Sequence, residues 1–378
     1  MRGVAGLFSG LSGFGIAMFF LFLAGLIVYP PFASSYILTV GTIVLYLALL
    51  GQSWNLMLGF AGLLSIGHAL FVGIGAYTAA FLFTRLGIPP IVGVFAAILL
   101  SVLVGAFIGY LGFRFSIGGV HFALLTIAFA EFTRIMVDHA GFLGGTQGLF
   151  LQVTAADRHG VDLINLRGHP LMFYYLSLGL AFATLLLCRT LLRSKLGYYW
   201  QAIRDDQQAA QSVGINVFRY KMYAVLYSSA IAGVGGVFYA FYQNGLFPES
   251  TFSIECSIEY TLAPIVGGVG TLFGPIFGAF LLTPLSESMT EIVDGLKEAG
   301  ILDPSLKLHG LKPLFWGLVV ALIVLFQPKG LWPWVARVMR LTRRPAGPAA
   351  PEPAPDETPQ AAPVEDAAGA GARPQREA

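Results

Sequence analysis

Apolar runs of about twenty residues recur along this chain, each long enough to cross roughly 30 Å of hydrocarbon as a helix. They fall near 14–32, 36–58, 65–84, 91–112, 119–137, 170–192, 222–244, 258–284 and 312–332. The first resembles a signal peptide, with Arg2 ahead of it and Ala33-Ser34-Ser35 as a cleavage site. Its run is too long, and the rest of the chain too apolar, so it is read as the first span. The pattern predicts an all-α polytopic membrane protein of about 8–10 transmembrane helices.

Basic residues collect on the cytoplasmic side of a membrane protein. The densest cluster is Arg189, Arg193, Lys195, Arg204, Arg219 and Lys221, and the second is Arg337, Arg340, Arg343 and Arg344. Placing both in the cytoplasm makes 138–169 external and puts the N- and C-termini inside. The run 258–284 must then cross an even number of times. A break is written there, Gly267-Gly268-Val269-Gly270-Thr271-Leu272-Phe273-Gly274-Pro275, because glycine and proline weaken or end a helix. Two pieces of about thirteen residues are expected, as a re-entrant hairpin or two short spans.

A similar interruption, Gly59-Phe60-Ala61-Gly62-Leu63-Leu64-Ser65-Ile66-Gly67, precedes His68 in the first half. Paired, glycine-broken segments suggest an internal repeat and a translocation pathway. The candidates are Gly59, Gly62, Ser65, Gly67, His68, Gly267, Gly268, Gly270 and Gly274. Close helix packing is the alternative use of such glycines. These segments belong to a transmembrane domain over residues 1–334. Residues 335–378 are basic and then rich in Pro and Ala, and are expected to form a disordered cytoplasmic tail.

Composition agrees: 11% of the 378 residues are charged, 56% are hydrophobic, and mean hydropathy is +0.74. A soluble surface needs about 25% charge, so lipid is the solvent here and no nucleic-acid partner is expected. Cys188 and Cys256 stand far apart, without a CxxC or a nearby His pair, which offers neither a disulfide framework nor a zinc site. No GxxxxGK[ST] loop occurs, so any power drawn from ATP must come from a partner.

The most informative polar segment is 193–221, RSKLGYYWQAIRDDQQAAQSVGINVFRYK. A short helix over 200–213 is predicted, stopped by Gly214. Either it connects two spans, or it hands force from the cytosol to a pore. Here Arg204-Asp205-Asp206-Gln207-Gln208-Ala209-Ala210 followed by Gly214-Ile215-Asn216 resembles the coupling loop of ABC-importer permeases, in particular the branched-chain amino-acid (LivM-type) branch. Gly59 to Tyr77, Val120 to Arg134, Gly144 to Leu149 and Val266 to Ala279 resemble the same family, in order, over roughly 40–335. Gln207 and Gln211 stand where the family often carries an acidic residue.

The resemblance implies ATPase coupling through Arg204, Asp205, Asp206, Ala209, Ala210, Gly214 and Ile215. It also implies a cytosolic ATPase pair, a second permease subunit forming a heterodimer, a periplasmic binding protein, and a bacterial inner-membrane location. The chain itself would bind no cofactor. Rival readings are an ion-coupled secondary transporter, an ABC permease for urea or another small carboxylate, and a membrane enzyme. The last has no HExxH, GxSxG or paired intramembrane aspartates behind it.

Ionisable groups inside a span are costly and point to function by default. Glu131 and Arg134 are three apart on one predicted helix, with Asp138 beyond, and can pair; Glu131 could wall an external vestibule. His68 and His121 are read first as packing residues. Gln52, Ser53 and Asn55 are read as interhelical hydrogen-bonding groups. The acidic residues Glu287, Glu291, Asp294, Glu298 and Asp303 mark 286–311 as an external solvated face or a docking surface.

Overall fold

The computed structural model describes residues 12–152, 161–162, 164–298, 311–339 and 341. The chain from 342 on, and with it the Pro/Ala-rich tail, lies outside the described residues, as do Asp303 and its neighbours 299–310.

Among the described residues fourteen α-helices follow one another. They are α1 Gly13–Val28, α2 Ser35–Asn55, α3 Ala69–Leu86, α4 Pro90–Arg114, α5 Val120–His139, α6 Pro170–Arg193, α7 Lys195–Asp205, α8 Gln207–Ser212, α9 Val217–Gln243, α10 Pro248–Thr251, α11 Ile254–Gly267, α12 Gly274–Glu298, α13 Leu311–Phe326 and α14 Leu331–Val338. Six of them, α2 to α6 and α9, are long and apolar enough to cross a membrane, with α2 prolonged by a π-turn over Leu56–Phe60. The fold is that of an all-α polytopic membrane protein. Two short ladders complete it, β1 Leu149–Phe150 with β4 Gly245–Leu246, and β2 Val161–Asp162 with β3 Arg167–Gly168.

The core is the α3–α4–α9 stack with α2 laid across it. Ser101 on α4 donates to the Phe71 carbonyl at 3.0 Å. A Cβ at Gly236 would overlap the Val72 carbonyl and one at Gly75 the Gly233 carbonyl, so only small residues let these backbones approach so closely. Cys188 is a buried packing residue, as expected.

Several boundaries correct the sequence expectation. The segment 65–68 is irregular and α3 begins at Ala69, because the apolar residues there belong to the break. At 193–221 two helices replace the single one expected over 200–213. Asp206, extended at φ −152°, leaves α7 and caps α8, its carboxylate accepting from Gln208 N at 2.8 Å and Ala209 N at 3.0 Å. The second break interrupts the chain over 268–273, but its two arms are unequal. Helix α11 has 14 residues and α12 has 25, running through Pro284 into the acidic stretch, where apolarity fades while helix continues. The last predicted run, 312–332, ends at Phe326; a Gln327–Gly330 turn then separates α13 from α14.

Candidate functional site

The two glycine breaks meet. Asn55 closes α2, and its amide reaches across to the 268–273 loop: Nδ2 donates to the Thr271 carbonyl at 2.9 Å, and Oδ1 accepts from Gly270 N at 2.8 Å. Thr271 closes its own loop, donating to the Gly268 carbonyl at 2.7 Å and accepting from Gly274 N at 3.1 Å. Backbone curvature makes glycine necessary here. Gly62, Gly268 and Gly270 have φ of +70°, +126° and +78°, a region side chains disfavour. A Cβ at Gly59 would overlap the Asn55 amide, and one at Gly267 the Gly274 carbonyl.

Arg204, at the end of α7, enters this junction. Its Nη1 donates to the Gly59 carbonyl at 2.6 Å, while a Cβ at Gly62 would lie 3.3 Å from its stem. Its Nη2 meets Asp205 at 3.2 Å on the exposed side. The α7–α8 clip that carries Arg204 is fixed to the body of the protein. Trp200 is fully buried and donates Nε1 to the Tyr220 carbonyl at 2.7 Å. Ile203, Ala210 and Val217 form a small core beneath α8. Lys221 donates to Gln207 Oε1 at 2.6 Å. The outer edge, Asp205 to Ala209 and Gln211 to Gly214, is exposed, with Val213 76% accessible. Gly214, at φ +86°, ends α8 as predicted.

The sequence candidates therefore separate. Gly59, Gly62, Gly267, Gly268, Gly270 and Gly274 belong to the junction, and Arg204 joins them. Asp205, Asp206, Ala209 and Gly214 lie on the exposed edge of the clip; Ala210 and the half-buried Ile215 lie under it. Ser65, Gly67 and His68 form a buried polar cluster one layer away. His68 Nε2 lies 3.1 Å from Ser53 Oγ, Ser53 and Ser228 bond each other's carbonyls at 2.8 Å, and Trp54 Nε1 donates to the Ser65 carbonyl at 2.6 Å. Thr126 Oγ1 accepts from Ile66 N and Gly67 N, each at 3.2 Å.

Glu131 stands apart from both. Arg134 bridges it at 2.6 Å to Asp138 at 2.8 Å, with the Glu131 side chain 46% accessible. Arg134 and Asp138, though not Glu131, line a cavity of about 700 Å³ with Thr146, Glu249, Ser253 and Glu255. Asn55 and Thr271 at the junction, and Trp200 under the clip, are positions that the sequence does not single out for these places. The only sequence signal was an amide among apolar residues for Asn55, and Trp200 looked like any aromatic.

Helices and breaks together are those of a polytopic all-α membrane protein. Residues 33–326 match the family model described as the branched-chain amino acid transport system permease component. The chain belongs to that family. It is 28% identical over 349 residues to the high-affinity branched-chain amino acid transport system permease protein LivM of Escherichia coli K12, covering 85% of this chain and 76% of that one. A probable LivM of Methanocaldococcus jannaschii is 21% identical over 74% of this chain and 88% of its own. The nucleoside ABC transporter permease protein NupC of Lactococcus lactis is 32% identical over 29% of this chain and 34% of its own. No solved structure matches.

Proposed function

We propose that this chain is a pore-forming permease subunit of an ATP-binding-cassette importer for branched-chain or related amino acids. It sits in a bacterial inner membrane with both termini in the cytoplasm. It works with a pair of cytosolic ATPases, a second permease subunit and a periplasmic solute-binding protein. The likeness to two LivM proteins over most of the chain, against a shorter likeness to NupC, supports the amino-acid substrate.

The observation that carries the mechanism is the bond from Arg204 to Gly59. Through it an exposed clip is wired to the point where both broken segments touch. ATPase closure pushes the outer edge of α7–α8, and Trp200 and Ala210 make the clip move as one body. Arg204 then shifts Gly59 against Gly270, and the helices on either side repack between outward- and inward-open states. Such a switch needs two discrete arrangements of a packed element, and glycine breaks held by a few hydrogen bonds provide them.

Gentle-detergent purification from native membranes tests the reading. Stoichiometric recovery of an ATPase and a second hydrophobic permease, with ATP hydrolysis stimulated by a binding protein loaded with leucine, is expected. A chain recovered alone and without ATPase activity, while a control transporter stays intact, would replace it with an ion-coupled transporter.

A further inference from the structure

Among the described residues, hydrogen bonds tie both ends of helix α1 to the rest of the chain. Ser12 N donates to the Leu341 carbonyl at 2.7 Å at one end, and Tyr174 and Tyr175 donate to the Leu26 and Ile27 carbonyls at 3.1 and 2.9 Å at the other. Gly15 is its one buried residue. Between the ends α1 faces α12 through ring contacts, Phe19 with Phe273 at 5.8 Å and Phe22 with Phe280 at 5.1 Å. Two cavities flank this seam and share Phe280 as their common wall, one of about 340 Å³ toward α14 and one of about 310 Å³ toward α2. Among the described residues no charged side chain lines either.

We propose that the α1–α12 seam is a phospholipid site, filled by acyl chains entering from its two mouths. Interiors are packed to the density of organic crystals, and apolar cavities stay dry, so a seam this open in a membrane protein is filled by hydrocarbon. The rims suit it. Met18, Phe22 and Met339 line the first cavity and are exposed, so it is reached from the bilayer. The second is rimmed by Tyr29 and Tyr36, the residue type that sits at the headgroup level. At the other mouth Val335 of α14 and Met339, just past its end, lie on the cavity.

The site also reaches the glycine breaks. Phe273 and Phe277 line it and pack on Trp332 at 5.3 and 6.0 Å. Phe273 ends the loop whose Gly270 is bonded to Asn55. Lipid in the seam thus braces the second break. Lipid occupancy of the seam does not depend on what the chain transports.

The experiment uses the intact complex in nanodiscs containing phosphatidylglycerol or phosphatidylcholine with a diazirine on one acyl chain, followed by peptide mapping of the adducts. Adducts on residues 15–22 and 273–280 are expected several-fold above those on Phe95, Leu99 and Leu103, the exposed residues of α4. Ile276→Trp, which fills the first cavity, should bring the seam down to the α4 level. Labelling no denser at the seam than on α4 overturns the proposal. So does a disulfide from Met18→Cys to a second permease chain, which would make the seam a subunit interface.

Discussion

Gly59 has no room for a methyl group, because the Asn55 amide and, from the other half of the chain, Gly270 already fill the space. Gly59→Ala pushes either the Asn55 amide or the 268–273 loop aside, and such overpacking costs about 1–3 kcal/mol. A lower thermal midpoint in detergent and a loss of leucine uptake are expected; unchanged values for both would mean the junction is slack. Asn55→Leu removes one donor and one acceptor at once. Each backbone group left without a partner costs about 1–3 kcal/mol, so its midpoint should fall at least as far as that of Gly59→Ala. Gly214 differs, because open space surrounds it and only its φ of +86° is restrictive. A β-branched residue there is strained by about 1–2 kcal/mol. Gly214→Val should uncouple ATP hydrolysis from uptake while the chain stays in the membrane, whereas Gly214→Asn, which accepts this conformation, should retain most activity. Equal behaviour of the two variants would refute the backbone explanation. The glycines were visible in the sequence because glycine clusters interrupt apolar runs conspicuously. Their partner was not, since nothing local says which distant backbone an asparagine will bond.

At the scale of elements, the α7–α8 clip is rigid only while its inner face is anchored. Arg204→Gln keeps the helices and removes a charge-assisted bond to Gly59, worth about 1.5–3 kcal/mol. With the ATPases still bound in pull-down, uptake per ATP hydrolysed should drop by about tenfold; wild-type stoichiometry would detach the clip from the breaks. The sequence showed a short polar helix between spans but not its division, because Asp206 is compatible with helix interior or cap and only the turn decides. The pair Glu131–Arg134 was legible from its i,i+3 spacing, and the structure adds Asp138 one turn on. The long second arm of the break, α12, was missed for a different reason. Hydropathy measures where lipid is tolerated, and helix hydrogen bonding does not stop where acidic residues start.

For the molecule as a whole, apolar periodicity and length sufficed to give the helical membrane class, since every backbone group inside hydrocarbon must be satisfied within helices. They did not reveal that both breaks and the clip share one end of the bundle. That arrangement has a topological consequence: Val213 on the clip and Phe142, beyond the end of α5, must lie on opposite sides of the membrane. Val213→Cys should react with an impermeant maleimide only in inverted vesicles, and Phe142→Cys only in spheroplasts; labelling of both from one side would overturn the orientation. The Asn55 bridge also has a meaning in time. Its donor and acceptor are 215 and 216 residues further along the chain, and synthesis proceeds at about 5–20 residues per second. The first break therefore waits on the order of 10–40 s in the nascent protein before its partner exists. During that interval an exposed amide and a bent helix end must be sheltered by the insertion machinery or by water, so assembly of this permease is gated by the birth of its second half.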